Sequence, residues 1–583
     1  MLVRQMPLVV ATGLKPNFNL PGFSVAEFTV HFETLGCRLN QIESESAARF
    51  FADSGFAVDM ESMTAVSPVP PRTVLSVINT CTVTGKAEQK ARRLIRLLLR
   101  KMPGSCVLVT GCYAELELEA IQAIDPRICV LPGSRKDLLA DIPRHLKPYL
   151  DSVGWQPEED GANLTQFIRG MVANLCLEKP APANTKAPRD AGQDKSHGKS
   201  QRHGGEDQTK GNGRRSPLAP SSKKKVLAAS QGVSPVFRLS TDTFFAHSRS
   251  SIKIQDGCNC ECTYCRIHLA RGRSVSLQVD EVVRRVQQLE AAGQQEVVLT
   301  GVNLSQYRGQ WSGSNESGGL NLGELLQQIL CNTSSIRIRI SSLYPESVTP
   351  QLCQVIAHQR IQPYFHLSVQ SGSDKILKAM ARPYRSAQVY QAVELLRQAK
   401  NNPFIACDII AGFPGETEED FALTQSMCQD CNFAWIHAFP FSPRPGTPAA
   451  TMKGQVPQSV AGQRVKWLTS FAIQSKCSYI SMWKGQVVSA ITEHNRRDRK
   501  NPSYAESLGS VKEGKSSGIN QLTHAVTENF IHVELLGTYP QGTSIWVKIT
   551  EPLPHRIQAG DECEALGEAV EDAMPAKIPE SEL

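Results

Sequence analysis

The chain has 583 residues, too many for one ordinary core, and its 41% apolar content is that of a globular protein. No apolar run reaches the ~18–20 residues of a membrane span, and the opening MLVRQMPLVVATGL lacks a signal-peptide cleavage pattern, so a cytoplasmic protein is expected. Seventeen cysteines are too sparse for a disulfide scaffold, and in a reducing compartment clustered thiols bind metal or do catalysis.

After an N-terminal extension (1–27), strand and helix periods alternate through residues 28–150. FTVHFETLG precedes Cys37, VLSVINT precedes Cys81, and CVLVTG precedes Cys112, each followed by a helical pattern. Strand, loop and helix in repetition predict an open parallel α/β sheet with right-handed crossovers. Its strands then end on one edge, where such sheets bind ligands, so Cys37, Cys81 and Cys112 can converge on a shared metal site. Cys106 and Cys129 lie outside this pattern and read as structural, as do Cys331, Cys353, Cys407, Cys428, Cys431 and Cys477 in apolar stretches.

A basic linker or insertion is expected over 155–240. Residues 179–225 hold twelve Lys/Arg against four Asp/Glu, a local charge of +8 that leaves 51 basic and 52 acidic residues elsewhere, so the net +7 is a property of this segment. Without an aromatic residue it cannot bury enough apolar area to offset ordering entropy and is predicted disordered; a loose contact with RNA is the alternative use.

Residues 245–478 contain six strand-like runs, SIKIQ, EVVLTG, IRIRISS, YFHLSVQ, FIACDII and WIHAFPFS, mostly separated by amphipathic helices. Six βα units predict a partial (β/α)6 barrel with its chemistry at the carboxyl ends of the strands. Thr300, Gly301 and Asn303 follow the second strand, and Ser368 and Gln370 end the fourth, so all five are candidate cofactor contacts. GFPGETEED lacks the GK[ST] ending of a phosphate loop; Thr417 with Asp420 reads as a helix capping box, with Gly412 and Gly415 shaping the turn. Arg271 and Arg273 could meet phosphate or a cofactor carboxylate, or be exposed structural residues, while His366 and His437 read as satisfied core or rim histidines. Residues 480–552 are β-rich and predict a small all-β barrel, a shape often used for oligonucleotides. Its EHNRRDRKN loop suits phosphate or a solvated face. Residues 553–583 read as a tail.

DGCNCECTYCR places Cys258, Cys260, Cys262 and Cys265 in one loop after the first strand of the central block. Three thiolates spaced CxxxCxxC can hold three corners of an iron–sulfur cube and leave one iron open. Zinc stays possible because Cys260 supplies a fourth sulfur, although zinc knuckles usually add a second ligand pair, and none follows.

CxxxCxxC with an aromatic before its last cysteine (Tyr264) resembles the radical S-adenosylmethionine enzymes. TLGCRLNQIESE, VINTCTVTGKAEQKARRLIR and VTGCYAE upstream, with RIHLARGRS, EVVLTGVNLSQY, RIRISSLYPE, HLSVQSGSDKILKAMARPY and DIIAGFPGETEEDF downstream, narrow the resemblance to the methylthiotransferases. It covers nearly the whole chain apart from the extension, the linker and the last ~30 residues, and the third block resembles that family's RNA-holding TRAM module. TLGCRLN and NTCTVTGKAEQKARR resemble the branch acting on threonylcarbamoyladenosine; the isopentenyladenosine branch would favour YGCQMN and the ribosomal-protein branch SLGCPKN. The chain departs from the family in the extra Cys260, in RGRSVS for RGRSRS, in a longer Cys37–Cys81 spacing and in the long basic linker.

The resemblance implies two [4Fe–4S] clusters, one on Cys258, Cys262 and Cys265 that binds S-adenosylmethionine, with Tyr264 among the cofactor contacts, and one on Cys37, Cys81 and Cys112 that handles sulfur. It implies that reductive cleavage of S-adenosylmethionine yields a deoxyadenosyl radical that takes the C2 hydrogen of the modified adenosine at position 37. Sulfur insertion and a second S-adenosylmethionine would complete the methylthio group, the chemistry being carried by the clusters and S-adenosylmethionine with no catalytic side chain assigned. Implied partners are tRNA at its anticodon loop, an electron donor such as flavodoxin or ferredoxin and a sulfur donor, with no membrane; a monomer is expected. The alternatives are methylthiolation of isopentenyladenosine or of a ribosomal-protein aspartate, and a zinc-containing RNA-binding protein without catalysis.

Overall fold

The structure is a computed structural model that describes residues 27–156, 161–179, 234–240, 250–314, 318–493, 522–561 and 563–570. They fall into two compact units. The first holds five parallel strands, β1 (Thr29–Thr34), β2 (Ala57–Asp59), β3 (Thr73–Thr80), β4 (Cys106–Gly111) and β5 (Ile128–Val130), in the order β2-β1-β3-β4-β5. Helices α1 (Arg38–Asp53), α2 (Gly85–Lys101), α3 (Cys112–Leu116), α4 (Leu118–Gln122), α5 (Ile142–Val153) and α6 (Gly161–Glu178) connect and cover them. Both faces of the sheet are packed. Val30, Phe32 and Val74 lie in one core with Phe51 of α1, and Ile78, Val107 and Val109 lie in another with Ile95 and Leu98 of α2. Such double burial is why β3 and β4 read as near-continuous apolar runs.

The expected linker begins too early at 155. Trp155 is fully buried, and α6 sends Leu164, Ile168, Met171 and Leu175 into the first core. Composition misled here, because this amphipathic helix adjoins the polar basic stretch, which starts only at Lys179. Residues 1–26, 180–233 and 241–249, and with them most of the extension and the basic segment, lie outside the described residues.

In the second unit the strands are β6 (Ser250–Lys253), β7 (Gln255–Asp256), β8 (Val275–Ser276), β9 (Glu296–Thr300), β10 (Arg337–Ile340), β11 (Ser342–Leu343), β12 (Tyr364–Gln370), β13 (Phe404–Ala411) and β14 (Trp435–Pro440). Strands β10-β9-β6 and β11-β12-β13-β14 form two parallel sets, broken at Ser341, while β7 and β8 make an antiparallel ribbon. Each of the six runs read from the sequence is a strand in this arc. Its helices are α7 (Ile267–Arg271), α8 (Val279–Ala291), α9 (Leu322–Asn332), α10 (Pro350–Ile356), α11 (Asp374–Ala379), α12 (Ser386–Ala399), α13 (Glu418–Asp430) and α14 (Gln458–Met482). Thr417 and Asp420 form the expected capping box at α13, and Gly412 and Gly415 take left-handed φ of 79° and 83° in the turn before it. No helix among the described residues is long and apolar enough to cross a membrane.

A closed barrel of β15 (Val487–Thr492), β16 (Leu522–Thr527), β17 (His532–Leu536), β18 (Ser544–Pro552) and β19 (Ala565–Val570) follows, with α15 (Pro554–Ala559) before the last strand. The stretch expected to be a tail from 553 therefore supplies the strand that closes the barrel. ALGEAV has little strand propensity of its own; pairing with β17 and β18 holds it extended. Gly567 is required there, since a Cβ would sit 2.5 Å from Val547. The barrel packs on the amino ends of the arc's strands: Arg339 pairs bidentately with Glu296 at 2.8 and 2.9 Å and donates to the Glu528 carbonyl at 3.1 Å. Most of the EHNRRDRKN loop (494–501) lies outside the described residues.

Candidate functional site

The four-cysteine loop leaves β7 at the carboxyl edge of the arc, the edge opposite the barrel. Gly257 makes the turn with φ 71°; a Cβ there would lie 2.0 Å from the Arg273 carbonyl oxygen. Asp256 fixes the loop's start by accepting from the Gly257 N–H at 2.8 Å and pairing with Lys253 and Arg271, each at 3.0 Å. Arg271 is thus a buried structural partner, not a free phosphate contact. Thr263 ties the loop's middle to the end of α11, its N–H to the Met380 carbonyl at 3.1 Å and its hydroxyl to that of Ala379 at 2.9 Å.

Every sulfur of the CxxxCxxC set receives an N–H. Cys258 accepts from the Cys260 N–H at 3.4 Å, Cys265 from the Ile267 N–H at 3.4 Å, and Cys262 from the Arg382 guanidinium at 3.3 Å. Such donors stabilise thiolates and tune iron–sulfur centres. Cys260 differs in role. Its neighbouring thiol holds the pKa values of Cys258 and Cys262 below the ordinary thiol range, Arg382 adding to the effect at Cys262, and its own is raised. Burial pushes Cys265 up to about 12. Cys260 is in turn held by Gln306 Nε2 at 3.2 Å.

Arg382 is the feature that sequence reasoning missed. It is buried among Tyr264, Tyr344 and Tyr384, donating to their hydroxyls at 3.4, 3.2 and 2.8 Å, and to the Ser368 carbonyl at 3.2 Å, and among the described residues no carboxylate accepts from it. Close by, Glu346 is pushed up by burial, feels the charge of Arg382, and has a buried oxygen, Oε2, without a hydrogen-bond partner. A buried cation without a carboxylate and a buried carboxyl oxygen without a donor both call for something else in the pocket. The one signal in the sequence was ARPY, where a lone Arg reads as solvated.

The expected cofactor contacts surround this pocket unequally. Asn303 Nδ2 reaches Cys258 and Cys260 at 3.9 and 3.8 Å, and Tyr264 packs edge-on to Phe413. Ser368 serves through its backbone. Gln370 is buried with φ 69°, beside a register shift between β12 and β13, a strained conformation of the kind that clusters at functional sites. Thr300 accepts from the Ile254 N–H through its carbonyl at 2.9 Å. The room at Gly301 is filled from within the protein: a Cβ would meet Gln255 at 2.8 Å and Leu304 at 2.9 Å. His366 bonds Ser342 and Asp408 at 2.6 and 3.1 Å, and burial lowers His437 to about 4, in keeping with structural roles.

In the first unit Cys37 caps α1, Cys81 follows β3 and Cys112 opens α3. Their loops are locked by backbone contacts. Gly36 and Gly111 both have φ 101°; a Cβ would lie 2.9 Å from Cys81 Sγ at the first and 2.4 Å from the Thr80 carbonyl oxygen at the second. Asn40 donates to the carbonyls of Leu35 at 2.8 Å and Thr80 at 3.0 Å, and Asn79 donates to that of Asn40 at 3.0 Å. Thr82, next to Cys81, donates to Glu88 at 2.5 Å, which is also paired with Arg444. Cys81 and Cys112 are buried and Cys37 is exposed.

Among the described residues neither cysteine triad brings three sulfurs within 4.8 Å of one another. Thiolates on one zinc ion sit about 3.8 Å apart, as follows from a tetrahedral Zn–S bond of about 2.3 Å. The N–H···S bonds, and Arg382 and Glu346 buried beside the loop, fit an iron–sulfur core with a zwitterionic cofactor beside it. Fold and loop together define a radical S-adenosylmethionine enzyme.

Comparison with known proteins agrees. Residues 252–428 match the radical SAM superfamily, and residues 29–133 match a family described as "Uncharacterized protein family UPF0004". The threonylcarbamoyladenosine tRNA methylthiotransferase MtaB of Treponema pallidum is 48% identical over 478 residues, 80% of this chain and 92% of that protein. MtaB of Bacillus subtilis is 30% identical over 80% of this chain and 85% of its own length. A tRNA-2-methylthio-N(6)-dimethylallyladenosine synthase of Anaplasma marginale is 26% identical over 79% and 84%. The chain belongs to the radical S-adenosylmethionine methylthiotransferase family. It is an enzyme of the MtaB-like type, and the family's cofactors are S-adenosylmethionine and two [4Fe–4S] clusters.

Proposed function

We propose that the enzyme converts N6-threonylcarbamoyladenosine at position 37 of the tRNA anticodon loop to its 2-methylthio derivative. The observation that carries this reading is the 48% identity to an MtaB over 92% of its length, against 26% to a dimethylallyladenosine synthase. In this reading Cys258, Cys262 and Cys265 hold one cluster, and Cys37, Cys81 and Cys112 hold the other. With clusters and S-adenosylmethionine bound, the site supplies homolytic C–H activation at an aromatic carbon and delivery of sulfur and methyl to it. Arg382 and Glu346 carry charges complementary to the carboxylate and ammonium of the cofactor's amino-acid end. Asn303 and the backbone N–H groups of Cys260 and Ile267 steady the thiolates, while Tyr264, Thr300, Ser368 and Gln370 shape the pocket and keep water out. Gly301 keeps Gln255 seated beneath it.

The β-barrel serves as a TRAM-like RNA grip. Because it packs at the amino ends of the strands, it holds tRNA at a distance from the reacting base and acts on affinity more than on chemistry. A flavodoxin or ferredoxin supplies electrons, a separate donor replenishes sulfur, and the enzyme works as a cytoplasmic monomer. Mass spectrometry of nucleosides from a deletion strain tests the reading. Loss of the methylthiolated threonylcarbamoyladenosine, with its precursor accumulating, is expected. Loss of the isopentenyl product instead, or no change in any nucleoside, overturns it.

A further inference from the structure

A second cluster of metal-binding side chains stands on the β-barrel, remote in chemistry from any cysteine. Glu493 directly follows β15, His524 lies on β16 and His532 opens β17. The register pairs Val526 with His532 and His524 with Glu534, so the two histidines are diagonal neighbours on one face. Ala525, Val533 and Leu535, the alternating residues, fill the barrel interior, which places the histidines on its outer wall. The Glu493 N–H donates to the His524 carbonyl at 2.7 Å, so backbone pairing fixes the approach of all three residues.

The side chains form a chain of contacts. Glu493 Oε2 is 3.5 Å from His524 Nδ1, and His524 Nε2 is 3.3 Å from His532 Nδ1, the two rings stacking at 5.2 Å. One ligand atom from each residue lies within 4.8 Å of the other two. Two nitrogens on one tetrahedral zinc ion are about 3.3 Å apart, given Zn–N bonds of about 2.0–2.1 Å. The imidazoles already stand at that separation. Glu564 accepts from the His532 N–H at 3.4 Å and holds that strand end, its charge being met by Lys476.

We propose that Glu493, His524 and His532 form a divalent-metal site that takes zinc, the imidazoles as nitrogen ligands and Glu493 as the oxygen ligand, with water completing the shell. Bound zinc would tie the end of β15 to β16 and β17 and turn a local negative charge into a positive one on the wall of the barrel.

The test uses full-length enzyme with reconstituted clusters, dialysed against buffered free zinc at micromolar concentration, with zinc counted by elemental mass spectrometry. One zinc per chain is expected in addition to iron, and zinc-edge X-ray absorption should show a nitrogen/oxygen shell near 2.0–2.1 Å with imidazole outer-shell features. His524→Ala and His532→Ala should each weaken zinc uptake at least tenfold. Glu493→Gln, which retains a hydrogen-bond acceptor if a histidine variant misfolds, should weaken it several-fold. Absence of zinc uptake, a sulfur shell near 2.3 Å, or full uptake by the variants overturns the proposal. None of these readouts depends on methylthiotransferase activity.

Discussion

The two cysteine triads proposed as cluster ligands are built in opposite ways. Cys258, Cys262 and Cys265 sit within eight positions of one loop, whereas Cys37, Cys81 and Cys112 are spread over three strand ends. The compact triad is positioned by the Gly257 turn and N–H groups of its own loop, with Thr263, Asn303, Gln306 and Arg382 tying that loop to later segments of the arc. The dispersed triad exists only once β1, β3 and β4 are in register, and its loops are fixed by contacts between strands. On the proposed ligand sets, metal binding at the dispersed triad would be coupled to folding of the sheet, whereas the compact triad comes from one loop.

The largest effect that could break this comparison is loss of a cluster. Any Cys→Ala change at the six positions should abolish methylthiolation and remove about four of about eight irons, since two thiolates hold a cube poorly. The sharper experiment leaves every cysteine in place. Gly111→Ala should also remove the dispersed triad's cluster, because its Cβ would lie 2.4 Å from the Thr80 carbonyl beside Cys81. Iron analysis and electron spin resonance of anaerobic protein check both. Eight irons in the Gly111→Ala variant would show that the strand ends do not need this close approach.

Arg382 is the charged group that reaches the compact triad from outside its loop. A buried guanidinium stabilises the reduced, more negative cluster over the oxidised one. Arg382→Met should keep iron at the compact triad yet lower its reduced-to-oxidised ratio at fixed potential at least tenfold, or 59 mV for a one-electron couple. Arg382→Lys should recover part of the shift. An unshifted potential in the methionine variant would make the residue a packing element only.

What the sequence disclosed follows the same division. The crowded cysteine loop was visible in its spacing, and the placement of Cys37, Cys81 and Cys112 at strand ends in the strand–loop–helix periodicity, because buried parallel strands write themselves as apolar runs; their roles as ligands come from the family resemblance. What stayed hidden was set by tertiary pairing. β19 is extended only because β17 and β18 flank it; α6 was masked by its basic neighbour; Arg382 looked like any surface arginine. Gly301 was expected to admit a ligand, but its missing Cβ makes room for Gln255.

A smaller effect separates the sheet of the dispersed triad from the rest through pH. His31 of β1 is fully buried, with Nδ1 2.6 Å from Asp59 and Nε2 3.5 Å from Glu33. Burial opposes its charge, but bonds to the two carboxylates prevail and raise its pKa from 6.5 to about 9. The raised value stabilises the sheet fully below about pH 6.5 and ceases to do so as pH climbs through about 9, a change on the order of 3 kcal/mol. Amide exchange of β1, corrected for intrinsic rates, should therefore lose protection between pH 7 and 9, and His31→Gln should flatten that dependence.

Cys260 offers the finest distinction, since it lies inside the compact triad without belonging to its spacing. Its thiol neighbours Cys258 and Cys262 and is held by Gln306, so on the proposed ligand set it would support the thiolates before iron arrives and would not be needed to hold the cube afterwards. Cys260→Ser keeps a hydroxyl donor of similar reach, and it should leave iron content and turnover within about threefold of the parent, because a hydrogen bond of this kind contributes about 1 kcal/mol. Cys260→Ala should slow cluster reconstitution more than the serine change does, with the final iron count unaltered. A serine variant that loses four irons would make Cys260 a ligand and would shift the compact site from three thiolates to four, closing the open iron on which cofactor binding depends.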